Sequence, residues 1–245
     1  MTKNKLVIYT ALFGDYDKLI DPKEKYSGCD FVCFTDQKKL KSKIWKIVLI
    51  DKCDLEPNMM NRKYKILPHN FLYKYDKSLY IDSNIRMLSD PTELFNIYLS
   101  NDIIAVPNHG RRNCIYEEAN KVIQVNKAPS EIVLNQIKYY KSLNYPKQNG
   151  LFEMNIIFRQ HNNTHAIKIM NDWWDQINTH SQRDQLSFCY VLWNNNTQVK
   201  TINESSRKIN KYFWADCHKF ESRKSKIKNI LKRKLHFIKN LKSKI

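Results

Sequence analysis

Glycine is nearly missing from this chain of 245 residues, which holds only 4. A phosphate-cradling P-loop and a dinucleotide fingerprint each need several glycines at fixed spacing, so both are excluded. Cysteine is present but not in a ligand pattern. Cys29, Cys33, Cys53, Cys114, Cys189 and Cys217 show no C-x-x-C spacing, which disfavours zinc and a disulfide framework and points to buried, reduced thiols. No run approaches the roughly 18 apolar residues of a membrane span. The start, Met1-Thr2-Lys3-Asn4-Lys5, enters a strand-like segment with no apolar leader, so a cytoplasmic protein is expected. The sequons at Asn162, Asn195 and Asn203 then carry no meaning. Acidic residues are also short, 24 against 42 Lys and Arg, leaving a net charge of +18. That excess calls for an anionic partner.

What is present supports a real core: 42% of the residues are hydrophobic, which excludes general disorder. The charge is unevenly placed. From His218 to Ile245 there are eleven Lys or Arg against Glu221 alone, so ten of the eighteen net charges lie in this tail. There Ile227, Ile230, Leu231, Leu235, Ile238, Leu241 and Ile245 recur at helical spacing between lysines, the pattern of an interfacial helix on anionic lipid. The same charge would suit a nucleic-acid binder. Its concentration in an amphipathic tail, without a nucleic-acid motif, argues against that reading.

Along the chain, apolar runs alternate with helical periodicity. Strands are expected at Leu6–Leu12, Asp30–Thr35, 44–50, Lys77–Ile81, 102–107, 151–159 and 199–202. Helices are expected from Asn58, as cap, to about Leu72, and after Asp90-Pro91, with Asp90 as cap. Others are expected over 113–145 with a break at Ala128-Pro129, over 163–179, and over 183–193. Alternation of this kind predicts an α/β fold with a mainly parallel sheet between helices. One domain over 1–217 and a basic amphipathic tail over 218–245 follow.

The chemistry centres on Ser78-Leu79-Tyr80-Ile81-Asp82-Ser83-Asn84. Asp82 and Asn84 sit at the carboxyl end of a buried strand, where open α/β sheets bind ligands. A carboxylate and an amide two apart can hold a hard cation, and the cation a diphosphate. Gly14, in the turn after the first strand, would let backbone approach a ligand. Arg62 and Lys65 share a helix face and could reach phosphate oxygens.

Several stretches together resemble a known family. They are Tyr9-Thr10-Ala11-Leu12-Phe13-Gly14 with Tyr16-Asp17, Arg62-x-x-Lys65-x-Leu67-Pro68-His69, the Tyr80–Asn84 run, and Asp90-Pro91. Cys114-x-Tyr116-Glu117-Glu118-Ala119 and Arg183-Asp184-Gln185-Leu186-Ser187-Phe188 complete the series. The order is similar to that of the family called domain of unknown function 616, regarded as glycosyltransferase-like. Its fold resembles the GT-A glycosyltransferases, including glycosyltransferase family 8.

This resemblance implies sugar transfer from a nucleotide-sugar donor, a UDP-sugar first, to a glycan or lipid-linked acceptor. Surface polysaccharide or lipopolysaccharide assembly at the inner face of the cell membrane would be the setting. Asp82-Ser83-Asn84 would stand for the family's Asp-x-Asp, holding Mn²⁺ or Mg²⁺ with His218 as third ligand. Asn84 departs from the commoner Asp and weakens the charge offered to metal. An inactive GT-A scaffold is therefore the rival reading. Thr10, Ala11 and Phe13 would line the nucleotide site, and Tyr16 would stack on the base. Asp184 is the first choice for the catalytic carboxylate, with Glu153 and Glu117 in reserve. His109 and Arg112, after a strand end, would meet the acceptor.

Overall fold

The computed structural model describes residues 5–52, 54–208 and 210–242, with side chains described up to 235. Cys53 and Ile245 lie outside the described residues, as do the side chains of Ile238 and Leu241.

In chain order the elements begin β1 (Leu6–Leu12), β2 (Asp30–Thr35), β3 (Lys46–Leu49), α1 (Pro57–Ile66), β4 (Lys77–Ile81) and β5 (Ile85–Met87). Then come α2 (Thr92–Leu99), β6 (Ile104–Pro107), α3 (Ile115–Gln124), α4 (Ser130–Ser142) and β7 (Ile156–Arg159). The chain continues with α5 (Thr164–Thr179), α6 (Asp184–Asn194), β8 (Lys200–Ile202), β9 (Phe213–Ala215) and α7 (Arg223–Lys242).

Seven strands form one sheet in the order β3-β2-β1-β4-β7-β6-β8. Neighbours are parallel except where β7 pairs antiparallel with β4 and β6. Side chains alternate across it: Val7, Tyr9 and Ala11 enter one core, Ile8 and Leu12 the other. Both faces are thus dry, which is why β1 reads as an unbroken apolar run. The helices α1 and α3 to α6 pack over the first face, and α2 over the second. The expected α/β architecture, a mixed and mostly parallel sheet between helices, is the one found.

The topology decides where a ligand fits. β1 lies between β2 and β4, so the chain winds outward in one direction to β3 and then restarts on β1's other side. Loops leaving the carboxyl ends of β1 and β4 part there and open a crevice. The turn 13–17 and the Asp82–Asn84 segment are its two lips.

Local differences from expectation have physical causes. α1 begins at Pro57, its fixed φ suiting the first turn, with Glu56 in the cap position. Asn58 does not cap it; its amide donates to Gln182 Oε1 at 2.5 Å. The helix stops at Ile66, because Pro68 cannot continue it, and a 3₁₀ turn over Pro68–Asn70 follows. At α2 the cap position is Pro91, and Asp90 Oδ1 accepts from Thr92 N at 2.9 Å. The expected strand over 151–159 is regular only from Ile156. The pair β5–β9 is an unexpected two-stranded sheet; three residues are too few to show a period.

Of the cysteines, Cys29, Cys33, Cys114 and Cys189 are buried, Cys217 is half-buried, and all five are free. Burial pushes the Cys33 and Cys189 thiols up to about 12, so both stay inert and protonated.

Two buried basic side chains organise the interior. Arg159 is fully enclosed and donates to Lys65 O at 2.7 Å and to the Tyr9 hydroxyl. It thereby holds the carbonyl end of α1, where a cation is favoured. His161 is also fully buried, bonded to Leu72 O at 3.0 Å, with Nδ1 unpartnered. Burial lowers its pKa from 6.5 to about 4. Below pH 6.5 the unfolded chain takes up this proton and the folded one does not. Stability should therefore fall from pH 6.5 to about 4, by roughly 3 kcal/mol for this group. Urea unfolding across that range checks it, and His161→Gln should flatten the slope.

Candidate active site

The site is assembled by contacts distant in sequence. Asp216 N donates to Asn84 O at 3.0 Å just after β9, which lays Cys217 and His218 over the carboxyl end of β4. The 13–17 turn is clasped to the same segment. Asp17, buried, receives Lys219 N on Oδ1 at 3.2 Å and pairs through Oδ2 with His218 Nδ1 at 2.5 Å. That hydrogen bond raises the His218 pKa against the opposing effect of burial. Gly14 has a φ of +66°, and a Cβ there would meet Pro57 Cβ at 2.9 Å. The glycine seats the turn closely on Pro57 at the start of α1.

Asp82, Asn84 and His218 line one cavity of about 300 Å³. Asp82 accepts from the Tyr80 hydroxyl at 2.9 Å and lies 3.9 Å from Lys65 Nζ. Asn84 donates its amide N–H to Asp216 O at 2.9 Å. Asn155, on the same cavity, keeps Oδ1 buried without a partner. Among the described residues no three His, Cys, Asp or Glu side chains cluster as a ready metal site. Asp82, an Asn84 amide oxygen and His218 Nε2 are nonetheless a donor set that suits Mn²⁺ or Mg²⁺. Asp17 on Nδ1 is placed as a second-sphere carboxylate would be if Nε2 held a metal. The residues fit a divalent cation, at lower charge than two carboxylates would give.

The opposite wall is α7. Lys228 and Lys232 line the cavity, and neither has an acidic partner among the described residues. Nothing local in the sequence marked Asn155 for a site; Asp17 entered only within the family resemblance and the lysines only as part of the tail, and the fold brings them here.

Lys65 and Asp184 meet across 119 positions. Lys65 Nζ reaches Asp184 Oδ2 at 2.5 Å in a buried pair. Burial would raise the Asp184 pKa, but Lys65, Arg62 and Arg183 outweigh it and hold the carboxyl below its usual range. Arg62 donates through Nε to Gln182 O and through Nη1 to Asn58 O at 3.2 Å. Tyr16 is 64% exposed, its ring 5.7 Å from that of His218. Burial of its hydroxyl, then Asp17 and Asp82, raise its pKa.

Other expected positions lie deeper. Thr10, Ala11 and Phe13 are buried, Phe13 stacking on Tyr64 at 5.2 Å. Thr10 and Ala11 lie in the ladder with β2, and Phe13 N and O are both bonded to the Asn61 side chain, so none of the three presents a side chain to the cavity. Ser83 is buried, its carbonyl accepting from Ile20 N at 3.1 Å. Glu153 is buried and held by Ser205 Oγ at 2.7 Å and Arg207 Nε at 3.0 Å. It anchors the loop that carries Arg207 to the cavity. Glu117, the other reserve, lies in the first turn of α3. Arg112 is paired with Glu118 at 2.6 Å. His109 Nδ1 accepts from Arg112 N at 3.0 Å, and burial followed by Arg112 lowers its pKa.

The cavity lies at the switch point of a mixed sheet, the place where open α/β folds bind ligands, and carries both acidic and basic side chains. The chain belongs to the TOD1/MUCI70 family: the family model, a glycosyltransferase-like domain, matches residues 1–219. Among solved structures it is similar to the WbbM bifunctional glycosyltransferase (11% identity, TM-score 0.49, covering 96% of this chain and 45% of that one). It is also similar to the glycosyltransferase GlyE of Streptococcus pneumoniae TIGR4 (10% identity, TM-score 0.46, covering 82% and 46%). This chain spans less than half of each of those chains. No curated protein matches it.

Proposed function

We propose that this protein transfers a sugar from a nucleotide-sugar donor, a UDP-sugar, to a glycan or lipid-linked acceptor in surface polysaccharide assembly. The observation that carries the reading is one cavity with two chemically matched walls. Asp82 and Asn84 on one side suit a cation, and Lys228 and Lys232 on the other, without an acidic partner among the described residues, suit phosphate oxygens. A donor diphosphate spans that pair of walls.

Asp82, Asn84 and His218 would hold a divalent cation, which would supply positive charge to a leaving diphosphate. The chain's own residues do the rest. Lys228 and Lys232 meet the negative charge that grows as the sugar–phosphate bond breaks. Tyr16 stacks on the base. Asp184, held ionised by Lys65, is a poor proton acceptor, since a base works best with a pKa near the operating pH. Its part is electrostatic, supporting positive charge on the sugar. His109 and Arg112 meet the acceptor. Likeness to glycosyltransferase family 8 in particular belongs to this reading.

One observation favours the rival, an inactive scaffold: the Asn84 amide is already engaged by Asp216. The two readings separate on donor hydrolysis.

Changing Lys228 and Lys232 together to Gln should weaken nucleoside diphosphate binding in Mn²⁺ about tenfold or more. Both side chains are exposed, so the melting temperature should not move. Calorimetric titration with UDP measures the change, and an unaltered dissociation constant would remove α7 from the site.

A further inference from the structure

The helix α7 is mounted with its polar side inward. Asn229 donates to Ala215 O at 3.0 Å and accepts from Trp214 Nε1 at 3.2 Å, while Arg233 pairs with Asp216 at 3.1 Å. Ser225, at the first turn, belongs to the same face and lines the cavity. At 100° per residue these positions fall together, and Ile227, Ile230, Leu231 and Leu235 fall on the far side. Those four are 45–58% exposed. Apolar residues of an amphipathic helix normally face a core. Here they face away from one.

Something must cover that stripe, and the charge says what. From Arg223 to Lys242 the helix has nine Lys or Arg and no Asp or Glu. A second copy would set the same cationic helix against this one, which like charges oppose. An anionic lipid surface offers both an apolar interior and the opposite charge. At about 1.5 Å per residue the helix is some 30 Å long, enough to lie along such a surface; no described helix is long and apolar enough to cross one.

We infer that α7 docks in the plane of an anionic lipid surface through Ile227, Ile230, Leu231 and Leu235. Its inward side walls the Asp82 cavity, so docking sets that cavity beside the lipid. The inference stands on the helix geometry and does not depend on the transferase reading.

Co-sedimentation of the full chain with phosphatidylglycerol-containing vesicles, against pure phosphatidylcholine vesicles, tests it. The chain should pellet with the first and not the second, and less so at high salt. Ile227→Glu with Leu231→Glu should lower the partition at least tenfold without moving the melting temperature. Lys224→Glu with Lys234→Glu, both at exposed positions, should do the same by charge alone and guards against a folding defect in the first variant. Equal pelleting of wild type and both variants overturns the inference, as does equal binding to neutral vesicles. A dimer in size-exclusion chromatography that Ile227→Glu with Leu231→Glu dissolves, with no vesicle binding by wild type, overturns it in favour of a second copy.

Discussion

Asp184→Ala is expected to cost about 3–5 kcal/mol of folding stability, because it strands a buried ammonium. Lys65 and Asp184 are both almost enclosed, with side-chain exposures of 8% and 12%. Their attraction offsets the loss of hydration only while both are present. Asp82, at 3.9 Å and more exposed, cannot take over the neutralisation. The double change Lys65→Met with Asp184→Leu should recover most of the loss, since an apolar pair of similar volume removes both desolvation costs. Urea unfolding of the two single variants and the double one closes the cycle. Equal destabilisation by single and double variants would mean that the pair contributes through packing rather than charge.

Asp82→Ala should behave in the opposite way, with little effect on stability and a large effect on function. Its side chain is 38% exposed and, among the described residues, accepts from the Tyr80 hydroxyl and lies 3.9 Å from Lys65 Nζ. Replacement should therefore shift stability by no more than about 0.5 kcal/mol. Sugar transfer or donor hydrolysis should fall about 100- to 1,000-fold, the scale of removing one preorganised electrostatic contact to a developing charge. Metal-dependent nucleotide binding should vanish with it. Retained metal dependence in the folded variant would move the cation away from Asp82.

The sequence made the framework legible where one face or both are dry. β1, β2 and β4 were read to the residue because each is a continuous apolar run closed by turn formers. The pair Ile85–Met87 and Phe213–Ala215 was not read from the sequence. It is also the element that delivers His218 to Asp82, so part of the site was hidden with it. Asp82, Asn84 and His218 were named from the chain and line one cavity, and Tyr16, also named, has its ring 5.7 Å from that of His218. The bond between Lys65 and Asp184 spans 119 positions, and nothing local to either residue announces the other. The tail stripe was legible as amphipathic. Which side would pack was not, because Asn229 and Arg233 anchor it by single polar contacts rather than by periodic apolar ones.

The most direct measurement is donor hydrolysis: the full chain is incubated with a panel of nucleotide sugars, with Mn²⁺, Mg²⁺ or chelator, and released nucleoside diphosphate is quantified. Metal-dependent release from a UDP-sugar, lost in Asp82→Ala and reduced in the Lys228→Gln, Lys232→Gln variant, is the expected result. No release from any nucleotide sugar, by folded protein with either metal, would contradict the transferase and leave the inactive scaffold.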